Sequence, residues 1–275
     1  LASISRFPIA CVPNAGLPDE DGCYLESPQM VRETLKRFTD QGWVNLLGGC
    51  CGTHTGHIRE LASLAATAKP RIPETRRRSW LSGIEAFEVT DEMRPVLVGE
   101  RTNVIGSRKF KRLVIDGKLE EASEIGRAQV RSGAQIIDVC LANPDRDELE
   151  DVSAFLTQLI QKIKAPLMID STDSKVIERA LTYCQGKSII NSINLEDGEE
   201  RFEEVVPLAK QFGAALVVGT IDDDAQQGMG VTRERKLAIA ERSYDLLTRK
   251  YGIPETDIYW DPLVFPCSTG DAQYL

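Results

Sequence analysis

Apolar positions along the chain fall into two rhythms. Continuous apolar runs of four to six residues alternate with longer stretches in which apolar residues return every three or four positions. The first rhythm is that of a strand buried on both faces, the second that of a helix with one buried stripe. Near the start, "FPIACV" (7–12) and "WVNLLGG" (43–49) read as strands. Pro28 to Thr39 and "THTGHIRELASLAA" (53–66) read as the helices that follow them. Residues 69–93 keep neither rhythm and are rich in proline and charge, which predicts a linker. After it come six more strand-like runs, "PVLVGE", "AQIIDVC", "PLMIDS", "SIINSIN", "AALVVGTID" and "DIYWDP", separated by helix-like stretches such as Leu119 to Arg131 and Thr232 to Tyr251.

Strands alternating with helices mean a parallel sheet with covered faces. The ends of the runs separate a (β/α) barrel from an open doubly wound sheet. Glu100 with Asn103, Asp138, Asp170, Asn191 with Asn194, Thr220 with Asp222, and Asp261 place a polar group at the end of every run. A barrel gathers such ends at one mouth, whereas an open sheet concentrates them at a switch point. No glycine-rich phosphate loop follows any of the strands. The expected architecture is therefore α/β, with residues 94–275 as about six βα units of a (β/α) barrel, 69–93 as a linker or domain boundary, and 1–68 as a separate strand-helix-strand-helix stretch.

Composition narrows the function. A formal net charge of −9 and a pI near 5.0 leave no basic field for a nucleic acid or an anionic membrane. No apolar stretch approaches the roughly 20 residues of a membrane span, so a cytoplasmic location is expected. Seven cysteines form an odd set without a disulfide framework, which suits reduced thiols or metal ligands. The cluster Arg76, Arg77 and Arg78 reads as a solvated linker.

The chemistry concentrates in "LLGGCCGTHTG" (46–56). Cys50 and Cys51 are poor disulfide partners, but flanking glycines allow a bend that turns two thiolates toward one metal. The alternative is a pair of small core thiols. His54 and His57 could complete a four-ligand set, although a helix starting near Thr53 would turn them onto its own flank. Among the carboxylates at strand ends, each has the alternative of capping the next helix. Asp173 and Ser174 fit that role.

"GGCCGT" followed by "HIREL", with "PNAGLP" before it, resembles the last units of the homocysteine-binding zinc barrel of homocysteine methyltransferases. "LSGIEAF", "VGERTNVIGSRKF", "GAQIIDVC", "MIDS" and "NSIN" resemble the junction and folate-binding barrel of the cobalamin-dependent methionine synthases. The resemblance implies two (β/α)8-type barrels, both incomplete in this chain, with residues 1–68 the end of the first and 94–275 about six βα units of the second. It also implies methyl transfer from 5-methyltetrahydrofolate through cobalamin to L-homocysteine. Its implied cofactors are zinc, held by Cys50 and Cys51, and a cobalamin bound by another domain of the same polypeptide. The implied pterin contacts are Asp138, Asp170 and Asn191, with Glu100, Asn103 and Asp261 at the same mouth, and Asp170 and Asn191 are the candidates closest to the chemistry. The family's third zinc cysteine lies in a Gly-x-Asn-Cys stretch, and no Asn-Cys pair occurs here; Cys11 and Cys23 do not match it. The chain is thus expected to be an internal fragment, inactive alone. Two other readings are a pterin-dependent methyltransferase that hands methyl to a separate corrinoid protein, and a non-catalytic incomplete fragment.

Overall fold

The computed structural model describes residues 1–5, 7–73 and 78–264. Two compact units divide the chain, Leu1–Arg77 and Arg78–Leu275. Among the described residues no helix is long and apolar enough to cross a membrane.

In the first unit β1 (Ala10–Cys11) pairs in parallel with β2 (Leu46–Leu47), and helices α1 (Pro28–Asp40) and α2 (Thr55–Thr67) follow them. Ser27 caps α1 by accepting from the Met30 N–H, with Pro28 at the first helical position, where its missing N–H costs nothing. Val31 and Leu35 of α1 meet Leu61 and Leu64 of α2 in a small core. The two expected strands shrink to two residues each. The result is a βαβα unit, whose two short strands are too little sheet to show a barrel by themselves.

The second unit opens within the stretch expected to be a linker. There β3 (Ser79–Ser82) and β4 (Ala86–Val89) form an antiparallel hairpin. Its apolar side chains Leu81, Phe87 and Val89 find their partners far along the chain, on Ile136, Ile189 and Ala215. A local reading of the pattern therefore misses it. Arg76 and Arg77 of the expected basic linker lie outside the described residues.

The body of this unit is β5 (Val98–Gly99), α3 (Arg108–Ile115), α4 (Leu119–Arg131), β6 (Ile136–Val139), α5 (Glu148–Leu159), β7 (Leu167–Asp170), α6 (Ser174–Leu181), β8 (Ile189–Leu195), α7 (Glu200–Phe212), β9 (Ala215–Asp222), α8 (Arg233–Asp245) and β10 (Ile258–Asp261). The six strands from β5 to β10 pair in parallel in strict chain order. A doubly wound sheet reverses its order once; this one never does. With right-handed crossovers, unbroken order puts every helix on one face and curls the sheet into half of a barrel.

Alternation along the strands then sorts the residues. Ile137, Val139, Leu167, Ile169, Ile190, Leu216 and Val218 point outward into the main core with Phe155, Leu156, Ile177, Phe202 and Val206 of the helices. Ile136, Met168, Ile189, Ala215, Val217 and Tyr259 point inward and pack against the hairpin. The hairpin is bonded to the lower ends of the strands: Ser82 N–H donates to Lys187 O at 2.9 Å and Ile84 N–H to Lys164 O at 3.1 Å. One end of the half-barrel is thereby filled with apolar side chains, and the other is left for polar ones.

Candidate functional site

Two residues beyond four of these inward apolar positions, the same face of the strand turns polar. Asp138 follows Ile136, Asp170 follows Met168, Asn191 follows Ile189, and Asp261 follows Tyr259. Period-2 geometry thus raises these side chains into the mouth at the C-terminal ends of the strands.

The chain extends past β5 along β6 to deliver Asn103. Thr102 Oγ1 donates to Asp138 O at 2.5 Å, Val104 N–H donates to Cys140 O at 3.0 Å, and Cys140 N–H donates to Thr102 O at 3.3 Å. Asn103 Oδ1 accepts from the N–H groups of Ile105 and Gly106 at 2.9 and 3.1 Å. With its oxygen committed, the amide can only present Nδ2 to the mouth, where it donates to Asp138 Oδ2 at 3.0 Å and Asp170 Oδ2 at 3.1 Å. Both of its hydrogens are then used. The clamp joins residues 35 and 67 positions apart.

Burial is the main cause that lifts Asp138 to about 7. The Asn103 bond opposes this, while Asp170 and Glu100 add like charge. Asp170 is raised as well, again chiefly by burial, against bonds from Asn103 and Cys140. Asp138 Oδ1 is buried and has no hydrogen-bond partner among the described residues. Near neutral pH this carboxyl is therefore divided between its two protonation states. It can accept from a ligand N–H or give a proton to a ligand nitrogen.

The other expected residues divide by position. Asn191 is half-buried and stands opposite Asp170 in the β7–β8 register, just before β8 bulges between Ile190 and Ile193. Glu100 is exposed and reaches the pair through its charge. Asp261 lies two strands from Asn191, and its Oδ1 accepts from Leu263 N–H at 2.8 Å. Asp222 is engaged by Arg235 at 2.5 Å, which anchors the loop after β9. Asp173 caps α6 through Lys175 N–H.

Two groups in the mouth escape a reading of the sequence. The Cys140 thiol is pushed up to about 12, mainly by burial, so it stays protonated and bonds to Asp170. Its place two residues after Asp138 on an inward-facing strand was the available signal. Glu148 at the start of α5 is raised by burial, with a bond from Ser171 opposing and Asp173 and Asp170 adding charge. Of the other thiols, Cys184 donates to Ala180 O and Cys11 packs in the first unit's core, while Cys267 lies outside the described residues.

In the first unit, Cys50 and Cys51 occupy a turn fixed on both sides. Cys50 N–H donates to Pro13 O at 2.9 Å, Cys51 N–H to Asn14 Oδ1 at 3.2 Å, and Thr53 Oγ1 to Cys50 O at 2.6 Å. Gly52 has φ +78°, and a Cβ there would lie 2.1 Å from the Tyr24 ring, so only glycine fits. Both thiols are exposed, with their Sγ atoms 3.8 Å apart. Thiolates about 2.3 Å from a tetrahedral zinc stand about 3.8 Å from one another. The pair has the spacing of two zinc ligands, although no set of three or more His, Cys, Asp or Glu able to hold a metal occurs among the described residues. The histidines form the α2 cap: His54 Nδ1 accepts from Gly56 N–H, His57 Nδ1 accepts from His54 N–H, and His57 Nε2 donates to Glu26 O.

Residues 99–274 match the family model of pterin binding enzymes, and residues 1–65 match that of homocysteine S-methyltransferases. Among solved structures, the chain is similar to Xanthomonas albilineans dihydropteroate synthase in complex with indole-2-carboxylic acid and 6-chloroguanine. The identity is 18% over 52% of this chain and 52% of that one, with a TM-score of 0.40. The 7,8-dihydropteroate synthase of Vibrio fischeri ES114 gives 17% over 54% and 57%, with a TM-score of 0.41. The Xanthomonas albilineans enzyme in complex with 7,8-dihydropteroate gives 19% over 52% and 52%, with a TM-score of 0.41. The chain spans about half the length of the solved structures it matches.

Proposed function

The chain belongs to the pterin-binding enzyme family, and on that premise we propose that it serves methyl transfer from 5-methyltetrahydrofolate to L-homocysteine with cobalamin as intermediary carrier. The observation that carries the reading is the clamp of Asn103 on Asp138 and Asp170, with the buried Asp138 Oδ1 left to accept. A pterin edge offers adjacent N–H donors, and two inward carboxylates, each with one oxygen held by Asn103, keep acceptors for them. Asn191, with both donor and acceptor, suits the ring nitrogens beside Asp170.

A methyl group leaves a tertiary amine only when the nitrogen is protonated. The carboxylates and amides of the mouth, set over an apolar floor, favour that proton as a hydrogen-bonded network, with Asp138 held to the pterin edge rather than acting as the acid. Cobalamin, when bound, supplies the nucleophile that accepts the methyl group. Both histidines of the chain are engaged in the α2 cap, so neither is free to ligate a cobalt ion, and we propose that the carrier is bound by another domain of the polypeptide.

The match of residues 1–65 supports the homocysteine half. Cys50 and Cys51 would hold zinc, which when bound lowers the pKa of a substrate thiol. The turn's part is to keep two thiolates at ligand spacing.

Two measurements test these assignments. Asp170→Ala and Asn191→Ala should each weaken 5-methyltetrahydrofolate binding more than about tenfold, or about 1.4 kcal/mol, while unchanged titrations would move the site elsewhere. Titration with cobalt(II), a spectroscopic stand-in for zinc, should give a thiolate-to-metal absorption band that Cys50→Ser and Cys51→Ser each diminish. A band indifferent to both substitutions rules them out as ligands.

A further inference from the structure

The thiol turn of the first unit has a neighbour with a free-standing role, Tyr24. It arrives on a short return of the chain. Asp19 Oδ1 accepts from Asp21 N–H at 3.1 Å and Cys23 N–H at 2.7 Å, Asp19 N–H donates to Cys23 O at 3.0 Å, and Pro18 pairs antiparallel with Tyr24. Both ends of this loop are fastened to the turn and to the helix after it. Ala15 N–H donates to Cys51 O at 2.9 Å, Glu26 N–H to Ala15 O at 3.3 Å, and His57 Nε2 to Glu26 O at 2.9 Å. The half-buried Tyr24 ring therefore lies against Gly52, in the space that a Cβ would need. There its hydroxyl is hydrogen-bonded to the Cys51 thiol. Cys50 stands near enough for its charge to reach the same hydroxyl, but the bond is to Cys51.

A phenol hydroxyl donates readily to a thiolate, and such a bond draws charge from the sulfur. Metal-bound thiolates are deprotonated and remain nucleophiles. Where a substrate thiolate takes a methyl group, the ligand thiolates on the same metal compete for it. The step is the same for each: a sulfur pair forms the S–C bond, and the carbon's old bond breaks with its pair staying on the carrier. A sulfur that already accepts a hydrogen bond attacks more slowly.

We propose that Tyr24 is a positioning residue of the thiol turn, whose hydroxyl donates to the Cys51 thiolate and so leaves a substrate thiolate on the same metal the faster to be methylated. The inference rests on the zinc reading above and adds what keeps a ligand sulfur out of the reaction. It makes the two ligands unequal. Cys51 is tempered and Cys50 is not, so Cys50 serves as the internal reference.

The test loads the full chain with cobalt(II) and compares the wild type with Tyr24→Phe, which keeps a ring on Gly52 and removes only the donor. The thiolate-to-metal band should move to longer wavelength in the variant, because a sulfur without its hydrogen bond gives up an electron more easily. Methyl iodide is then added to the loaded protein, iodide leaving with the carbon–iodine pair, and S-methylation is mapped by peptide mass. Methylation of Cys51 should rise about threefold or more in Tyr24→Phe, as the loss of one hydrogen bond to a charged group allows. Cys50 should be unchanged. A Cys51 rate that stays at the wild-type value overturns the proposal, as does a band that does not move. So does an equal rise at Cys50 and Cys51, which is what a merely loosened turn would give. Absence of the band from the wild type overturns the zinc reading itself, and this inference with it.

Discussion

The side chain of Asn103 has one orientation open to it. Two backbone N–H groups hold its oxygen, and its nitrogen is shared between two carboxylates that burial would otherwise force toward neutrality. Unfolded, Asp138 titrates near about 3.9; folded, at about 7. Between those values the folded chain keeps a proton that the unfolded chain has lost, so stability falls as pH rises through the window and levels off above it. Asp138→Asn has no charge to desolvate. Its urea-unfolding free energy should therefore decline less steeply between about pH 4 and 7, though Asp170, raised in the same direction, keeps some slope. A slope equal to the wild type's would show that Asp138 is ionised in the fold.

At the scale of elements, the hairpin of β3 and β4 decides which end of the half-barrel is free. Gly83 sits at its turn, where a Cβ would lie 2.1 Å from Lys164 O. Gly83→Ala must push the hairpin off the sheet and should cost about 1–3 kcal/mol in denaturant unfolding. A neutral effect would mean that the hairpin is not seated there. The six parallel strands were legible because each is a continuous apolar run closed by a polar group, a pattern set by the strand itself. The hairpin was not, because Leu81 and Phe87 are apolar toward residues 49 or more positions away. For the same reason the sequence could place Asp138 and Asp170 at one mouth but could not show that Asn103 fastens them together.

At the scale of the molecule, the two units carry different side-chain sets, exposed adjacent thiols in one and a clamped pair of carboxyls, Asp138 buried and Asp170 half-buried, in the other. The thiol turn was legible as a motif, since glycines flanking adjacent cysteines state their own geometry. Of the first barrel expected, residues 1–68 show a βαβα unit whose strands are only two residues long, too little to display a barrel. The central claim is that the mouth of the half-barrel holds a pterin through the Asn103 clamp. The most direct test is nuclear magnetic resonance of the side-chain amides during titration with 5-methyltetrahydrofolate, with the Asn103 signals assigned by their loss in Asn103→Asp. The Asn103 amide resonances should shift in proportion to occupancy, because the ligand takes up acceptors on the same two carboxylates. Saturable binding that leaves those resonances unmoved would contradict the account.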